Sequence, residues 1–259
     1  AQSLAKLIQE LKPKGEINAL EICSSDRRAA YWFHLSKNIG DRPLNLTLTD
    51  NATEYGPDDS YSKGNFSFQH KYLDILAPFP EVSTNYDLIT CMYGFDSVWF
   101  PGDMMLELNN CKWSQHLYRV GIPDWHPEPE KVRRAFASGK GQDCDEDDLR
   151  LLIIERTSTP YDLSENPKLQ KIIQERCPNL DELTLPVPLG MVRWISKAFD
   201  HYLNADGKMI IGDVGTYSTE HSKVGNIVST NTGARYKCID FLITQRLLEE
   251  RGLKATVIS

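Results

Sequence analysis

Leu4, Leu7, Ile8 and Leu11 recur at helical spacing and predict an amphipathic helix over residues 1–11, closed by Lys12-Pro13-Lys14-Gly15. The apolar run at 17–22 then predicts a strand. Residues 27–38 read as a helix ended by Gly40, and 44–48 alternate as a strand that runs into Thr49-Asp50-Asn51. Together these segments make a β-α-β unit. A third strand is predicted at 66–72 and a fourth at 86–91, the latter almost continuously apolar, as a strand covered on both faces should be.

Further along, Met191, Ile195 and Phe199, with Trp194, Ala198 and Tyr202 on the neighbouring line, predict a helix over 190–203. It leads through Asn204-Ala205-Asp206-Gly207 into a buried strand at 208–213. Another helix is predicted over 240–251, stopped by Gly252, followed by a last strand at 253–259. Strands alternating with helices predict an α/β fold: a Rossmann-like, open, mostly parallel sheet with helices on both faces. The whole chain, 1–259, reads as one such domain. Residues 112–186 are too long for a crossover and are expected to form an elaboration inserted between the fourth and fifth strands. Within it, 149–155 reads as a strand, 157–161 as a loop rich in Thr, Ser and Pro, and 166–177 as a helix opened by Asn166-Pro167. The acidic run 143–148 reads as a solvated loop, and Lys131-Val132-Arg133-Arg134 as a solvated helix face.

Composition adds exclusions. With 29 Lys plus Arg against 36 Asp plus Glu, the net charge is -7, which argues against non-specific nucleic-acid binding. No window approaches the roughly 18 to 20 apolar residues of a membrane span, and no secretory signal is evident. The six cysteines stand singly and the six histidines are dispersed, so reduced thiols, no metal site and an intracellular, cytoplasmic protein are expected, with mitochondria also compatible.

In an open α/β sheet the ligand sits beyond the carboxyl ends of the strands. The residues there are Glu21 with Cys23-Ser24-Ser25-Asp26, Asp50-Asn51, Lys71-Tyr72, Cys91-Met92 and Asp213-Val214-Gly215. An acidic residue ending the second strand suits a ribose diol, because one carboxylate accepts from both hydroxyls. A dinucleotide needs G-x-G-x-x-G after the first strand, yet no glycine occurs from Glu16 to Ile39, which disfavours NAD and FAD. A nucleoside ligand without phosphates, such as S-adenosylmethionine, makes a weaker demand. No G-x-S-x-G hydrolase elbow and no phosphate-binding G-x-x-x-x-G-K-[ST] loop are present.

Ala19-Leu20-Glu21-Ile22 with its small-residue loop resembles the first motif of the class I S-adenosylmethionine-dependent methyltransferases, and Leu46-Thr47-Leu48-Thr49-Asp50 resembles their second. Residues 66–76, 86–89 and 194–213 are similar to the later strands and the last helix of that class. The segment before Leu189 and the Asp240-Phe241 helix look most like the MidA-like methyltransferases, a family that includes a mitochondrial complex I assembly factor acting as a protein-arginine methyltransferase. Two departures stand out: Cys23 and Ser25 replace the usual glycines, and Met92-Tyr93 replaces an acidic and amide pair.

The resemblance implies that Glu21 and the loop Cys23, Ser24, Ser25 and Asp26 surround the methionyl part of S-adenosylmethionine. Asp50 would bind the ribose hydroxyls with Asn51 beside it, Lys71 and Tyr72 would border the adenine, and Cys91 and Met92 would lie at the fourth strand's end. Residues 93–102 would wall the methyl acceptor, a protein side chain or another bulky or small molecule. Asp96, Asp103 and Glu107 are the carboxylates available to hold or deprotonate it, the last two being four apart on an expected helix. The alternative is a methyltransferase-like fold without chemistry, serving as a binding or assembly module. An exposed sheet edge also allows a homodimer.

Overall fold

In the computed structural model of the chain, the described residues are 2–11, 14–24, 28–50, 60–77, 85–92, 94–95, 98–138, 144–177, 183–213, 215–216, 227–229 and 235–257. In chain order the first elements are α1 (Gln2–Leu11), β1 (Ile17–Ile22), α2 (Arg28–Ser36), β2 (Leu44–Asp50), β3 (Ser60–Lys63), β4 (Phe66–Tyr72) and β5 (Tyr86–Met92). Next come β6 (Met104–Asn109), β7 (Lys112–Gly121), α3 (Pro129–Ala137), α4 (Glu146–Arg150), β8 (Ile153–Pro160), α5 (Pro167–Arg176) and β9 (Leu183–Val187). The chain continues through α6 (Leu189–Tyr202), β10 (Leu203–Gly212), β11 (Gly215–Thr216), β12 (Ile227–Ser229), β13 (Arg235–Lys237), β14 (Ile239–Asp240) and α7 (Phe241–Glu249).

The chain divides into two compact units, one of residues 1–101, 190–214 and 251–253, the other of 102–189, 215–250 and 254–259. The first unit holds a six-stranded sheet of order β10-β5-β1-β2-β4-β3. All its pairings are parallel except β3 with β4. The β3–β4 hairpin was not foreseen from the pattern; its two-residue turn places Gly64 at φ 63°, where glycine is the residue without a steric penalty. The strand predicted at 208–213 starts earlier, at Leu203, because a register shift between Leu203 and Lys208 absorbs the expected turn.

Side-chain alternation explains this unit's core. Ile17 and Ala19 of β1, Leu44, Leu46 and Leu48 of β2, Phe66 of β4 and Leu88 of β5 share one face and pack with Ala5 and Ile8 of α1 and Trp32 and Leu35 of α2. Leu20 and Ile22 on the opposite face of β1 are buried too, as a central parallel strand requires. Asp87, buried on β5, accepts the Asn18 N–H of β1 at 2.9 Å and the Asn204 side-chain amide of β10 at 2.8 Å. One carboxylate thereby joins three neighbouring strands at their amino ends.

The second unit is built on an antiparallel sheet of order β8-β7-β6-β9. Here three expectations are corrected. Asp103 and Glu107 are not on a helix: Asp103 precedes strand β6 and Glu107 lies within it. The reason is the tight Asn110-Cys111 turn, both residues at positive φ (48° and 60°), which pairs β6 with β7 and overrides the four-residue spacing. Residues 157–160 are strand, not loop, because β8 follows β7 to Pro160. The acidic run folds partly into α4, and Lys131 of α3 binds Asp145 and Asp148, each at 2.9 Å. The helix after Asn166 forms as expected, with the Asn166 side chain accepting the Leu169 N–H at 3.1 Å and Pro167 in the first turn.

α7 starts at a buried capping residue. Asp240 accepts the N–H groups of Leu242 and Ile243 and also the Arg176 Nε of α5, at 3.1 and 3.3 Å. The strand expected at 253–259 is absent among the described residues there; instead the Gln245 amide of α7 donates to the Ala255 carbonyl at 3.0 Å. No described helix is long and apolar enough to cross a membrane.

Replacing Asp87 by Ala is expected to lower stability by about 1 to 3 kcal/mol, because it strands a half-buried N–H and a half-buried amide together. A urea titration of the two chains reads this as a lower midpoint, and an unchanged midpoint would refute the clamp.

Candidate functional site at the strand-order reversal

The sheet order places the first crossover on one side of β1 and the later ones on the other. Successive parallel strands run outward from β1 through β2 to β4, after which the chain returns to lay β5 and then β10 on the far side of β1. Strand order therefore reverses between β1 and β5, the place where an open α/β sheet forms a crevice beyond its carboxyl ends. Register sets its rim: Ile22 lies beside Thr49 and Cys91, Asp50 beside Tyr72, and Gly212 beside Met92.

The rim is held by backbone hydrogen bonds. Ser24 N–H donates to the Thr49 carbonyl at 2.9 Å, Leu73 N–H to the Asp50 carbonyl at 2.9 Å, and Phe95 N–H to the Asp213 carboxylate at 2.7 Å. The last bond draws the start of the loop after β5 towards the end of β10. Phe95 is then buried in an aromatic cluster with Phe100 and Trp194, ring centroids 5.5 Å from both. This part of the segment expected to wall an acceptor is a packed hydrophobic anchor. Trp99 is more open, at 38% exposure.

The expected site residues are distributed as follows. Glu21 is buried, and its carboxylate accepts the Trp32 indole N–H of α2, so it anchors that helix to the sheet. Ser24 is buried with its N–H committed to β2. Asp50 is half-buried at the end of β2, with Tyr72 alongside on the same face of the sheet and 60% exposed. Lys71 is exposed beside them. Cys91 is buried and Met92 half-buried, its thioether lying over Gly212. Ser25, Asp26, Asn51 and Asp96 lie outside the described residues. Asp103 and Glu107 belong to the second unit.

Glu107 is engaged by its own chain. Its carboxylate binds Arg156 and lies 2.5 Å from Nε2 of the buried His116, while Arg156 Nε donates to His116 Nδ1 at 2.8 Å. This network crosses β6, β7 and β8, and an internal guanidinium already fills the Glu107 carboxylate.

Cys23 is the residue whose conformation was not anticipated. Its φ of 56° lies in the left-handed region, where a β-carbon is disfavoured by roughly 1 to 2 kcal/mol. Strand alternation would send its side chain to the face of Glu21; the left-handed turn brings it against Cys91 on the opposite face. Gly94 closes over both thiols: a methyl there would sit 2.7 Å from the Cys23 Cβ and 3.0 Å from each sulfur. Only glycine permits so close an approach. The Cys91 thiol is pushed well above the usual thiol range, first by its hydrogen bond with Cys23 and then by burial.

No family model and no curated protein matches the sequence. Among solved structures, the chain is similar to an uncharacterized protein of the COG1565 superfamily from Burkholderia thailandensis, with a TM-score of 0.57 and 11% identity. That match covers 97% of this chain and 62% of the other, so the chain spans about three fifths of the length of the protein it resembles. At this identity the likeness shows a shared fold.

The strain at Cys23 is measurable. Cys23→Gly is expected to be about 1 kcal/mol more stable than Cys23→Ala, the reverse of the usual order, because only glycine escapes the left-handed penalty. Chemical denaturation of the two variants decides it, and a more stable alanine variant would mean the turn is unstrained.

Proposed function

We propose that this protein is an S-adenosylmethionine-dependent methyltransferase of the MidA-like type, acting on a protein side chain or another bulky acceptor. The observation that carries the reading is a half-buried carboxylate, Asp50, ending the strand next to β1 at a strand-order reversal. The superfamily of the similar solved structure is the MidA-like one, which supports the narrower assignment.

The described residues fit the cofactor at the nucleoside end. Asp50 offers its carboxylate to two ribose hydroxyls, and Tyr72 on the same face offers an exposed ring edge for adenine, with Lys71 beside it. Towards the methionyl end, the Cys23 turn and Met92 supply small or pliable walls and buried Cys91 supplies the floor. When bound, S-adenosylmethionine supplies an electrophilic methyl group on a sulfonium. The protein's tasks are to hold the acceptor in line with that methyl and to exclude water, which places few demands on particular side chains. Glu21 serves by fixing α2 through Trp32. Glu107, filled by Arg156, is not assigned a role at the acceptor.

A second reading, an inactive binding or assembly module, draws on a specific observation: the β1 turn lacks glycine, and the N–H of Ser24 is committed to Thr49. A thermal melt separates the two. At a hundredfold excess over the dissociation constant, linkage predicts about 2.7 kcal/mol of stabilisation, on the order of 5 to 10 °C. A shift is expected with S-adenosylmethionine and S-adenosylhomocysteine, none with NAD, and none in Asp50→Ala with its melting otherwise cooperative. No shift at millimolar ligand would abandon the enzyme reading.

A further inference from the structure

Two thiols from distant parts of the chain meet at the crevice floor. Cys23 follows β1, Cys91 lies in β5, and Ile22 and Cys91 are register partners in adjacent parallel strands. Both sulfurs lie within 3.0 Å of one point above Gly94, and both thiols are free. The arrangement is asymmetric. Cys91 is fully buried, whereas Cys23 is half-buried at the rim. The strained backbone of Cys23 and the absence of a side chain at Gly94 both serve to bring the pair together. The backbone conformation alone would be met at lower cost by glycine at residue 23.

We propose that Cys23 and Cys91 form a dithiol modification site, oxidised to an intramolecular disulfide by a low-molecular-weight disulfide such as oxidised glutathione. Cys23, the accessible member, attacks one glutathione sulfur as its thiolate; the glutathione S–S bond breaks and one glutathione thiolate leaves with the Cys23 proton. The buried Cys91 then attacks the Cys23 sulfur of the mixed disulfide, its proton passing to the second departing glutathione thiolate. Two protein thiols become one disulfide, and one small disulfide becomes two thiols. Its exposure makes Cys23 the entry point, and burial beside it makes Cys91 the resolving partner.

The site also regulates cofactor binding, a step that rests on the methyltransferase reading. A disulfide needs its sulfurs at about 2.05 Å, so oxidation pulls the Cys23 turn onto the Cys91 wall and narrows the methionyl end of the crevice.

The test uses the full chain incubated natively with oxidised glutathione, then alkylated and digested without reduction. A peptide linking Cys23 to Cys91 is expected in the wild type, and a persistent glutathione adduct on Cys23 in Cys91→Ser. A persistent Cys23 adduct in the wild type, or both thiols recovered unreacted, overturns the dithiol site irrespective of how the variant folds. Melts of the reduced and linked chains with S-adenosylmethionine read the regulation. The ligand-induced shift is expected to fall by about half or more on linkage, and equal, non-zero shifts overturn the coupling. A linked pair with no shift in either form leaves the dithiol standing and removes the methyltransferase reading, whereas a shift without linkage does the reverse.

Discussion

The buried carboxylate of Asp87 is the interaction on which the candidate site depends. It sits on β5 and binds β1 on one side through the Asn18 N–H and β10 on the other through the Asn204 amide. A buried carboxylate without such donors would be costly, and with them it is a directional joint that hydrophobic packing cannot supply. The pairing of β1 with β5 is the pairing across the strand-order reversal. Its register, with Ala19 beside Leu88 and Ile22 beside Cys91, decides which residues face each other at the other end of the sheet.

That register has chemical consequences. It places the ends of β1 and β5 level, so that the turn at Cys23 meets Cys91 and the loop after β5 must pass over both at Gly94. The registers of β1 with β2 and of β5 with β10 likewise let Ser24 reach the carbonyl of Thr49 and Phe95 reach Asp213. The result is a rim tied by its own hydrogen bonds, with Asp50, Lys71 and Tyr72 at the ends of β2 and β4. Glu21, which a motif comparison assigns to the cofactor, spends its carboxylate on Trp32 and acts through the position of α2.

The second unit follows a different logic. Its sheet carries a polar network, Glu107 with His116 and Arg156, in which each charge is matched within the chain. Its helices α5 and α7 are joined by the buried pair of Arg176 with Asp240, where the carboxylate also caps α7. Such a pair contributes little net stability relative to apolar packing, but breaking one partner leaves an uncompensated buried charge. It therefore specifies how α7 begins more than it adds to stability.

Sequence alone determined the parallel sheet. The apolar runs at β1, β2, β4 and β5 and the amphipathic α1 and α6 are set by periodicities of two and 3.6, which are local properties of the chain. Asp50 was legible for the same reason, since a carboxylate ending a buried strand is visible in one dimension. What the tertiary structure alone decided depends on pairing between distant segments. The four-residue spacing of Asp103 and Glu107 suggested a helix, but the Asn110-Cys111 turn and the partner strand β7 made it a strand, and no local glycine announced that turn. The left-handed Cys23, its approach to Cys91 and the commitment of Glu21 to Trp32 were equally hidden. Each arises where two segments are brought level by the register of a sheet, and register is a property of partners that the linear sequence does not place side by side.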